Sequence, residues 1–239
     1  MTVKIIAQDL SISFNKRLLF HIPTLSLGPK EAVYLRGPNG AGKTTLLKIL
    51  SGLIQPTTGH LNTQRPHWFR RLCGTAANNQ ITYLHQTPFL FDGTVYDNVN
   101  YGLKCASMPR QQRRNEVINA LRLVGLETLA QEHISVLSGG ERQRVAMARA
   151  WVLKPAILLM DEPSASVDKA SIDLLVVLAK DLLSRGASLI ITSHQTNALT
   201  DLCHRQWTID ESALIETANL HIINDSTVAL KDSNVSTTA

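Results

Sequence analysis

A chain of 239 residues, 44% of them hydrophobic, can bury one large core without disulfide bonds or structural metals. Its three cysteines form no CxxC pair and its histidines show no metal-ligand spacing, so we expect reduced thiols and neither a disulfide framework nor a zinc site. The net charge of +5 is unevenly distributed, with 14 Lys/Arg against 5 Asp/Glu in residues 1–120 and 10 against 14 in residues 121–239. Because the basic residues are scattered, we expect a solvated surface rather than a binding site for nucleic acid, lipid or phosphate.

The first elements are predicted to be strands. Residues 5–14 and 25–27 alternate apolar and polar side chains, which indicates short antiparallel strands. An apolar run at 32–35 then leads into a glycine-rich loop, and the apolar residues 46–50 predict a helix after it. From 56 to 80 the sequence is rich in Thr, Asn, Gly and basic residues, which predicts loops with little regular structure before a strand at 81–84.

The glycine-rich loop predicts a phosphate site. Its glycines allow successive backbone N–H groups to surround phosphate oxygens, and the following helix presents its positive end to the same anion. Lys43 adds a charge for the β- and γ-phosphates, and Thr44 offers a hydroxyl to Mg²⁺. A chance match to this pattern is expected in roughly one chain in a hundred. The predicted nucleotide-binding residues of this loop are Gly37, Pro38, Asn39, Gly40, Ala41, Gly42, Lys43, Thr44 and Thr45.

Residues from about 92 to 154 are predicted to be mostly helical. Within them, 111–124 carries an apolar stripe at helical spacing that leaves the arginines outside it. The members of the stripe are Val117, Ile118, Leu121 and Val124.

A second helix start in this region has the pattern of a capping box. Ser138 and Glu141 are three residues apart and precede a run of helical periodicity, which must end before Pro155. A cap alone does not require Gly139 and Gly140, which expose backbone N–H groups where an anion binds well. Because the chain has one phosphate loop, this second anion site has no obvious occupant within the same chain.

Two adjacent carboxylates close an apolar run at 156–160, which is typical of a central parallel strand. Ligands of open parallel sheets bind at the carboxyl ends of the strands. We therefore expect Asp161 to hold Mg²⁺, and Glu162 to orient or deprotonate an attacking water. Because successive strand residues point apart, the two carboxylates should have different roles. A solvent-exposed strand end is the alternative.

Other polar residues follow strands in the same way. Gln86 follows the strand at 81–84, and His194 follows a strand at 189–192 within reach of a γ-phosphate. Each by itself is compatible with an ordinary surface residue, and the coincidence of the strand ends supports a site. Phe14 either stacks on adenine or packs in the core.

Two further features concern the membrane. The longest apolar runs are far shorter than the roughly 20 residues of a spanning helix. The start of the chain lacks the apolar segment of a secretory signal, so we expect no export.

Taken in order, these motifs resemble those of the ATP-binding subunits of ABC (ATP-binding cassette) transporters, from about residue 5 to 216. The matches are Phe14 with the A-loop, 37–45 with Walker A, Gln86 with the Q-loop, 137–141 with the signature, 157–162 with Walker B, 164–168 with the D-loop, and His194 with the H-loop. The resemblance implies an α/β P-loop NTPase core with a mainly parallel sheet, an N-terminal antiparallel β-subdomain and an inserted α-helical subdomain at about 92–154. These would form one domain, 1–217, followed by a polar tail, 218–239.

The resemblance also implies an ATPase that uses ATP and Mg²⁺ and forms a head-to-tail homodimer with two ATP molecules between the subunits. Ser138, Gly139 and Gly140 of one subunit would contact the γ-phosphate bound by the other. The implied catalytic residues are Glu162, His194, Gln86 and Lys43, and the implied metal-site residues are Thr44, Gln86 and Asp161.

Further partners are implied as well. A transmembrane permease would dock near residues 86–91, holding the chain at the cytoplasmic face of the membrane, although 88–91 is equally compatible with core. A solute-binding protein would complete the system. Residues 91–99 resemble the corresponding segment of importers for tungstate, molybdate and phosphate. Small departures from the family pattern are Phe14 for Tyr, Glu141 for Gln, and Ser-Ala-Ser-Val-Asp at 164–168.

Two other functions share some of these motifs. Nucleic-acid ATPases of the repair and chromosome-maintenance type carry long coiled coils or zinc modules, for which the interval from 45 to 137 is too short and irregular, so no nucleic-acid partner is expected. A small-molecule kinase leaves the motif at 137–141 unexplained.

Overall fold

The computed structural model of the chain describes residues 3–64, 81–105, 108–165 and 167–218. Within these ranges the strands are β1 (Lys4–Phe14), β2 (Arg17–Leu27), β3 (Ala32–Arg36), β4 (Thr58–Gln64), β5 (Ile81–Leu84), β6 (Ile157–Met160), β7 (Ser188–Thr192), β8 (Arg205–Asp210) and β9 (Ala213–Ala218). The α-helices there are α1 (Lys43–Leu50), α2 (Val95–Cys105), α3 (Arg110–Leu123), α4 (Gly139–Val152) and α5 (Lys169–Ser184). None of these described helices is both long enough and apolar enough to cross a bilayer.

The larger sheet is mainly parallel. Among the described strands its order is β5-β6-β7-β3-β8-β9, and β9 runs antiparallel to β8. Every residue of β6 and β7 is buried, as expected for central strands covered on both faces. The register places Met160 between Leu84 and Ile191, so the carboxyl ends of neighbouring strands lie level at one edge.

The smaller sheet is antiparallel, with the order β2-β1-β4 among the described strands. Asn15 and Lys16 both have positive φ, of 49° and 65°, and form the tight turn between β1 and β2. The prediction of a strand limited to 25–27 is therefore wrong, because this turn starts β2 at Arg17. The prediction of loops throughout 56–80 is also wrong for β4, a mostly polar strand that pairs with β1, while 65–80 lies outside the described residues.

Helices α2, α3 and α4 lie between β5 and β6 in the chain and pack on one side of the larger sheet. The predicted stripe of α3 is confirmed, because Val117, Leu121 and Val124 are completely buried and Ile118 packs against the same core. Helix α4 ends at Val152, ahead of Pro155 as predicted. A second apolar cluster surrounds α1 between the two sheets. Together these elements confirm the predicted α/β fold class, while the predicted tail beyond Ala218 lies outside the described residues.

Strand β4 approaches β1 closely at an irregularity in their pairing, and this contact predicts a difference between two glycine substitutions. Gly59 has a φ of +88°, and a Cβ there would lie 2.3 Å from the carbonyl oxygen of Asp9. Gly52 has a similar φ of +80°, but a Cβ there would meet nothing within 4 Å. We expect Gly59→Ala to lower the free energy of unfolding by about 3 kcal/mol or more, and Gly52→Ala by about 1 kcal/mol. Urea unfolding followed by circular dichroism measures both, and equal losses would contradict the backbone contact as the cause.

Candidate active site

The glycine-rich loop joins the end of β3 to the start of α1. Gly42 is the N-cap of α1 with a φ of +104°, and a Cβ there would lie 2.9 Å from the side chains of Leu19 and Phe20. A left-handed backbone in such close contact requires glycine. The loop is thereby pressed against β2, and the first N–H groups of α1, which have no intrahelical partners, face the same loop.

Lys43 lies under this loop and is 8% exposed. Its Nζ donates hydrogen bonds to the carbonyl oxygens of Gly37 at 2.9 Å and Pro38 at 3.2 Å. These contacts hold the ammonium group against the start of the loop. Thr44, the next residue, is exposed. A positive group, a helix N-terminus and an accessible hydroxyl therefore meet at one place, a combination suited to a phosphate chain.

Asp161 follows β6 directly and is 3% exposed. Its Oδ1 accepts a hydrogen bond from the hydroxyl of Thr192 at 2.9 Å, and its Oδ2 accepts one from the hydroxyl of Tyr83 at 2.7 Å. These donors come from β7 and β5, the strands on either side of β6. Both oxygens of the carboxylate are thus held by neutral hydroxyl groups.

Glu162 has a φ of +49°, a conformation that is unusual for a residue other than glycine. Its N–H donates to the hydroxyl of Thr192 at 2.8 Å, and its Oε1 lies 2.7 Å from Nε2 of His194. The carboxylate is largely buried, with 10% of its side chain exposed, whereas His194 is half-exposed. Strain of this kind is typical of functional sites, where surrounding contacts hold the conformation.

The predicted alternation of Asp161 and Glu162 along a strand is wrong, because the ladder ends at Asp161, whose N–H bonds to the carbonyl oxygen of Leu84, and the chain turns at Glu162. The two carboxylates nevertheless contact different groups, since the turn at Glu162 directs its side chain to His194. The structure thus brings Asp161, Glu162 and His194 together at the edge of the sheet where β3, the strand next to β7, leads into the phosphate loop.

Tyr83 and Thr192 were not among the residues predicted from the sequence. Burial, and then the hydrogen bond to Asp161, raises the pKa of Tyr83, so its hydroxyl remains a donor. Both residues lie within strands, where a polar group is often a satisfied part of the core. Their pairing with Asp161 depends on the register between separate strands, which no local pattern in the sequence encodes.

Two of the predicted residues are exposed. Gln86 lies two residues beyond β5 at the same edge of the sheet, and its side chain faces solvent. Phe14, at the end of β1, is 52% exposed. The alternative prediction that Phe14 packs in the core is therefore wrong. Its ring is accessible to a planar ligand.

The capping box at the start of α4 is confirmed. The backbone N–H and the hydroxyl of Ser138 donate to Oε2 of Glu141 at 2.8 and 2.7 Å, and the Glu141 N–H donates back to the Ser138 hydroxyl oxygen at 3.3 Å. The bonds from Ser138 lower the pKa of Glu141. A Cβ at Gly139 or Gly140 would meet nothing within 4 Å, so no contact within the described chain requires glycine at either position.

Helix α4 also reaches the end of β6. Gln143, which is 4% exposed, donates from Nε2 to the carbonyl oxygen of Pro163 at 3.3 Å. This contact connects the helix that carries the signature motif to the turn that carries Glu162.

An aromatic surface lies beyond Gln86. Phe89 is 71% exposed, Phe91 is 39% exposed and Tyr101 is 51% exposed, whereas Leu90 is buried. The Phe91 ring lies between the Phe89 and Tyr101 rings, and Arg149 donates to the carbonyl oxygen of Phe89 at 2.8 Å. The alternative prediction that residues 88–91 belong to the core is therefore correct for Leu90 and wrong for Phe89.

Comparison with known proteins agrees with this geometry. A family model described as ABC transporter matches residues 20–165. A lipopolysaccharide export system ATP-binding protein LptB of Acidithiobacillus ferridurans is 32% identical over 213 residues, covering 87% of each chain. A tungstate uptake system ATP-binding protein TupC of Peptoclostridium acidaminophilum is 30% identical over 202 residues, covering 84% of this chain and 92% of that protein.

The fold is shared with solved structures of this type. The dimeric structure of a post-hydrolysis state of the ATP-binding cassette MJ0796 bound to ADP and Pi superposes with a TM-score of 0.74 at 24% identity, covering 90% of this chain and 98% of that one. Since the family model matches more than half of the chain and both relatives match along most of their length, the chain belongs to the ABC transporter family as an ATP-binding subunit that couples ATP hydrolysis to transport.

Proposed function

We propose that two copies of this chain bind two ATP molecules between them and drive the import of a small oxyanion, such as tungstate or molybdate, through a membrane permease. The observation that carries the hydrolytic part is the 2.7 Å contact between Glu162 and His194 beside the phosphate loop. The chain would act as one ATPase domain, 1–217, with a helical subdomain at about 92–154, ahead of a polar tail, 218–239.

The loop and the strand ends divide the chemistry between them. The backbone N–H groups of residues 40–45 bind the phosphates of ATP, and Lys43 neutralises charge on the β- and γ-phosphates. Glu162 accepts a proton from the water that attacks the γ-phosphate, and the ADP oxygen leaves as the P–O bond breaks. His194 binds the Glu162 carboxylate and contacts the γ-phosphate. The exposed Gln86 contacts the attacking water or the metal. Phe14 stacks on adenine.

The residues at the end of β6 fit Mg²⁺. Asp161 is a buried carboxylate whose contacts among the described residues are neutral hydroxyl donors, so a cation would compensate its charge. Thr44 and Gln86 add a hydroxyl and an amide oxygen, the hard oxygen ligands that Mg²⁺ prefers. When bound, Mg²⁺ would neutralise charge on the β- and γ-phosphates.

The start of α4 supports the dimer. Glycine at positions 139 and 140 lowers helix stability, and no contact within the described chain compensates for it. Exposed N–H groups at a helix start attract an anion. We therefore infer that Ser138, Gly139 and Gly140 contact the γ-phosphate held by the phosphate loop of a second copy.

The aromatic surface supports the permease contact. Three exposed rings, Phe89, Phe91 and Tyr101, form one cluster, and the two phenylalanines follow Gln86 within five residues of the chain. A clustered exposed aromatic surface is typical of a protein interface. A permease bound there would hold the chain at the cytoplasmic face of the membrane, and a solute-binding protein would deliver the solute.

Support for an oxyanion comes from the match to TupC and from residues 91–99. The match to LptB is similar in identity and belongs to an export system, so the solute requires a direct test. The chain would be coexpressed with a permease and a solute-binding protein from the same organism, and the complex that copurifies would be reconstituted in vesicles. We expect tungstate or molybdate to stimulate ATP hydrolysis several-fold and to accumulate, with sulfate as the control anion. Stimulation by lipopolysaccharide instead would contradict import of an oxyanion.

Glu162→Gln tests the hydrolytic role. The amide keeps the shape of the side chain but cannot accept the proton, so we expect ATP hydrolysis to fall by about 10²- to 10⁴-fold. ATP with Mg²⁺ should then trap a dimer, measured by light scattering after size-exclusion chromatography. Glu132→Gln, at an exposed site, is the matched control and should hydrolyse ATP normally. Wild-type hydrolysis by Glu162→Gln, or a monomer in the presence of ATP and Mg²⁺, would refute the proposal.

Gly140→Ala tests the composite site. Because a Cβ there meets open space in the chain, the free energy of unfolding should stay the same or rise by up to about 1 kcal/mol. ATP binding to the monomer should not change, while ATP hydrolysis and ATP-dependent dimerisation should both fall, because the methyl group occupies the space of the incoming phosphate. Normal hydrolysis together with raised stability would show that no second copy approaches this helix start.

A further inference from the structure

We propose that Tyr83 is a positioning residue for Asp161, whose hydroxyl fixes the carboxylate in the orientation that receives Mg²⁺ and so raises the affinity of the site for the metal. This inference rests on the metal-binding role of Asp161 in the proposed function.

The register of β5 and β6 explains how Tyr83 reaches the carboxylate. Tyr83 lies opposite Leu159 in the parallel pair, and Asp161 is two residues further along the chain, on the same side as Leu159. Residues in this diagonal relation are within reach of a long aromatic side chain. The phenol oxygen lies 2.7 Å from Oδ2, a short bond to a charged acceptor.

A second donor acts on the other oxygen. The Thr192 hydroxyl, from β7 on the opposite side of β6, donates to Oδ1 at 2.9 Å. The carboxylate is therefore fixed by one hydroxyl on each side, which restricts its rotation. Among the described residues each oxygen accepts one side-chain hydrogen bond, which leaves a lone-pair direction on each for a metal or a metal-bound water. Partners of this kind orient metal ligands and change metal affinity when they are removed.

The surroundings of Tyr83 indicate that its hydroxyl, rather than its ring, would orient Asp161. Its ring packs against the apolar cluster around α1 and lies 4.3 Å, in an edge-on arrangement, from the ring of His85. Phenylalanine would preserve both of these contacts. A phenol is protonated at neutral pH, so the hydroxyl of Tyr83 donates to the carboxylate.

Tyr83→Phe separates these two contributions. We would measure the affinity of purified full-length chain for a fluorescent ATP analogue, in chelator and across a titration of Mg²⁺. In Tyr83→Phe, the Mg²⁺ concentration that gives half of the metal-dependent increase in nucleotide affinity should be about tenfold higher or more. Affinity in chelator should not change, because the phosphate loop is untouched. Tyr96→Phe, at a partly buried ring of α2 to which no role is assigned, is the control and should titrate like the wild type.

Asp161→Asn distinguishes failure of this inference from failure of the proposed function. If Asp161→Asn loses the response to Mg²⁺ while Tyr83→Phe titrates like the wild type, the role of Tyr83 is refuted and the metal role of Asp161 stands. If Asp161→Asn responds to Mg²⁺ like the wild type, the role of Tyr83 and the metal-binding role of Asp161 are both refuted. If Tyr83→Phe does not fold, Tyr83→Met, which fills the space without a donor, replaces it. A loss of affinity in chelator equal to the loss in Mg²⁺ would show that Tyr83 is merely structural.

Discussion

Backbone hydrogen bonds align β5, β6, β7 and β3 in parallel, and the positions of the reacting groups depend on that alignment. Leu84, Met160 and Ile191 lie side by side, and the N–H of Asp161 still bonds to the carbonyl oxygen of Leu84, so the ladder continues one residue beyond β6. The chain then turns sharply at Glu162. Apolar residues on both faces of β6 and β7 supply the burial that keeps this edge rigid.

The two helix starts near this edge are built differently. Helix α1 begins at Gly42 without a side-chain cap, so no capping side chain occupies its first N–H groups at the end of the phosphate loop. Helix α4 begins at Ser138, and its capping box folds the Glu141 carboxylate back onto Ser138. The carboxylate thus accepts from the N–H and hydroxyl of Ser138 and not from the N–H groups of the two glycines. A carboxylate at position 141 is therefore compatible with an anion site, although repulsion would be expected from its charge alone.

Features encoded locally could be predicted from the sequence, and features that depend on register could not. The glycine loop, the buried strand before Asp161 and the capping box at Ser138 each depend on residues within a few positions of one another. Tyr83 and Thr192 are recognisable only once β5 and β7 are placed beside β6. Strand β4 was missed because it is polar and exposed, so its pairing with β1 leaves little periodicity in the sequence. The positive φ of Glu162 likewise follows from tertiary contacts.

The hydroxyl of Thr192 connects the Asp161 carboxylate to the backbone N–H of Glu162 through a single oxygen. It accepts from the N–H of Glu162 and has one proton to donate, which can go to Asp161 at 2.9 Å or to the carbonyl oxygen of Met160 at 3.5 Å. Any loss of charge at Asp161 allows that proton to turn toward Met160, and the acceptor geometry offered to Glu162 changes with it. The two acids are therefore energetically coupled rather than independent, so the effects of altering each are not additive.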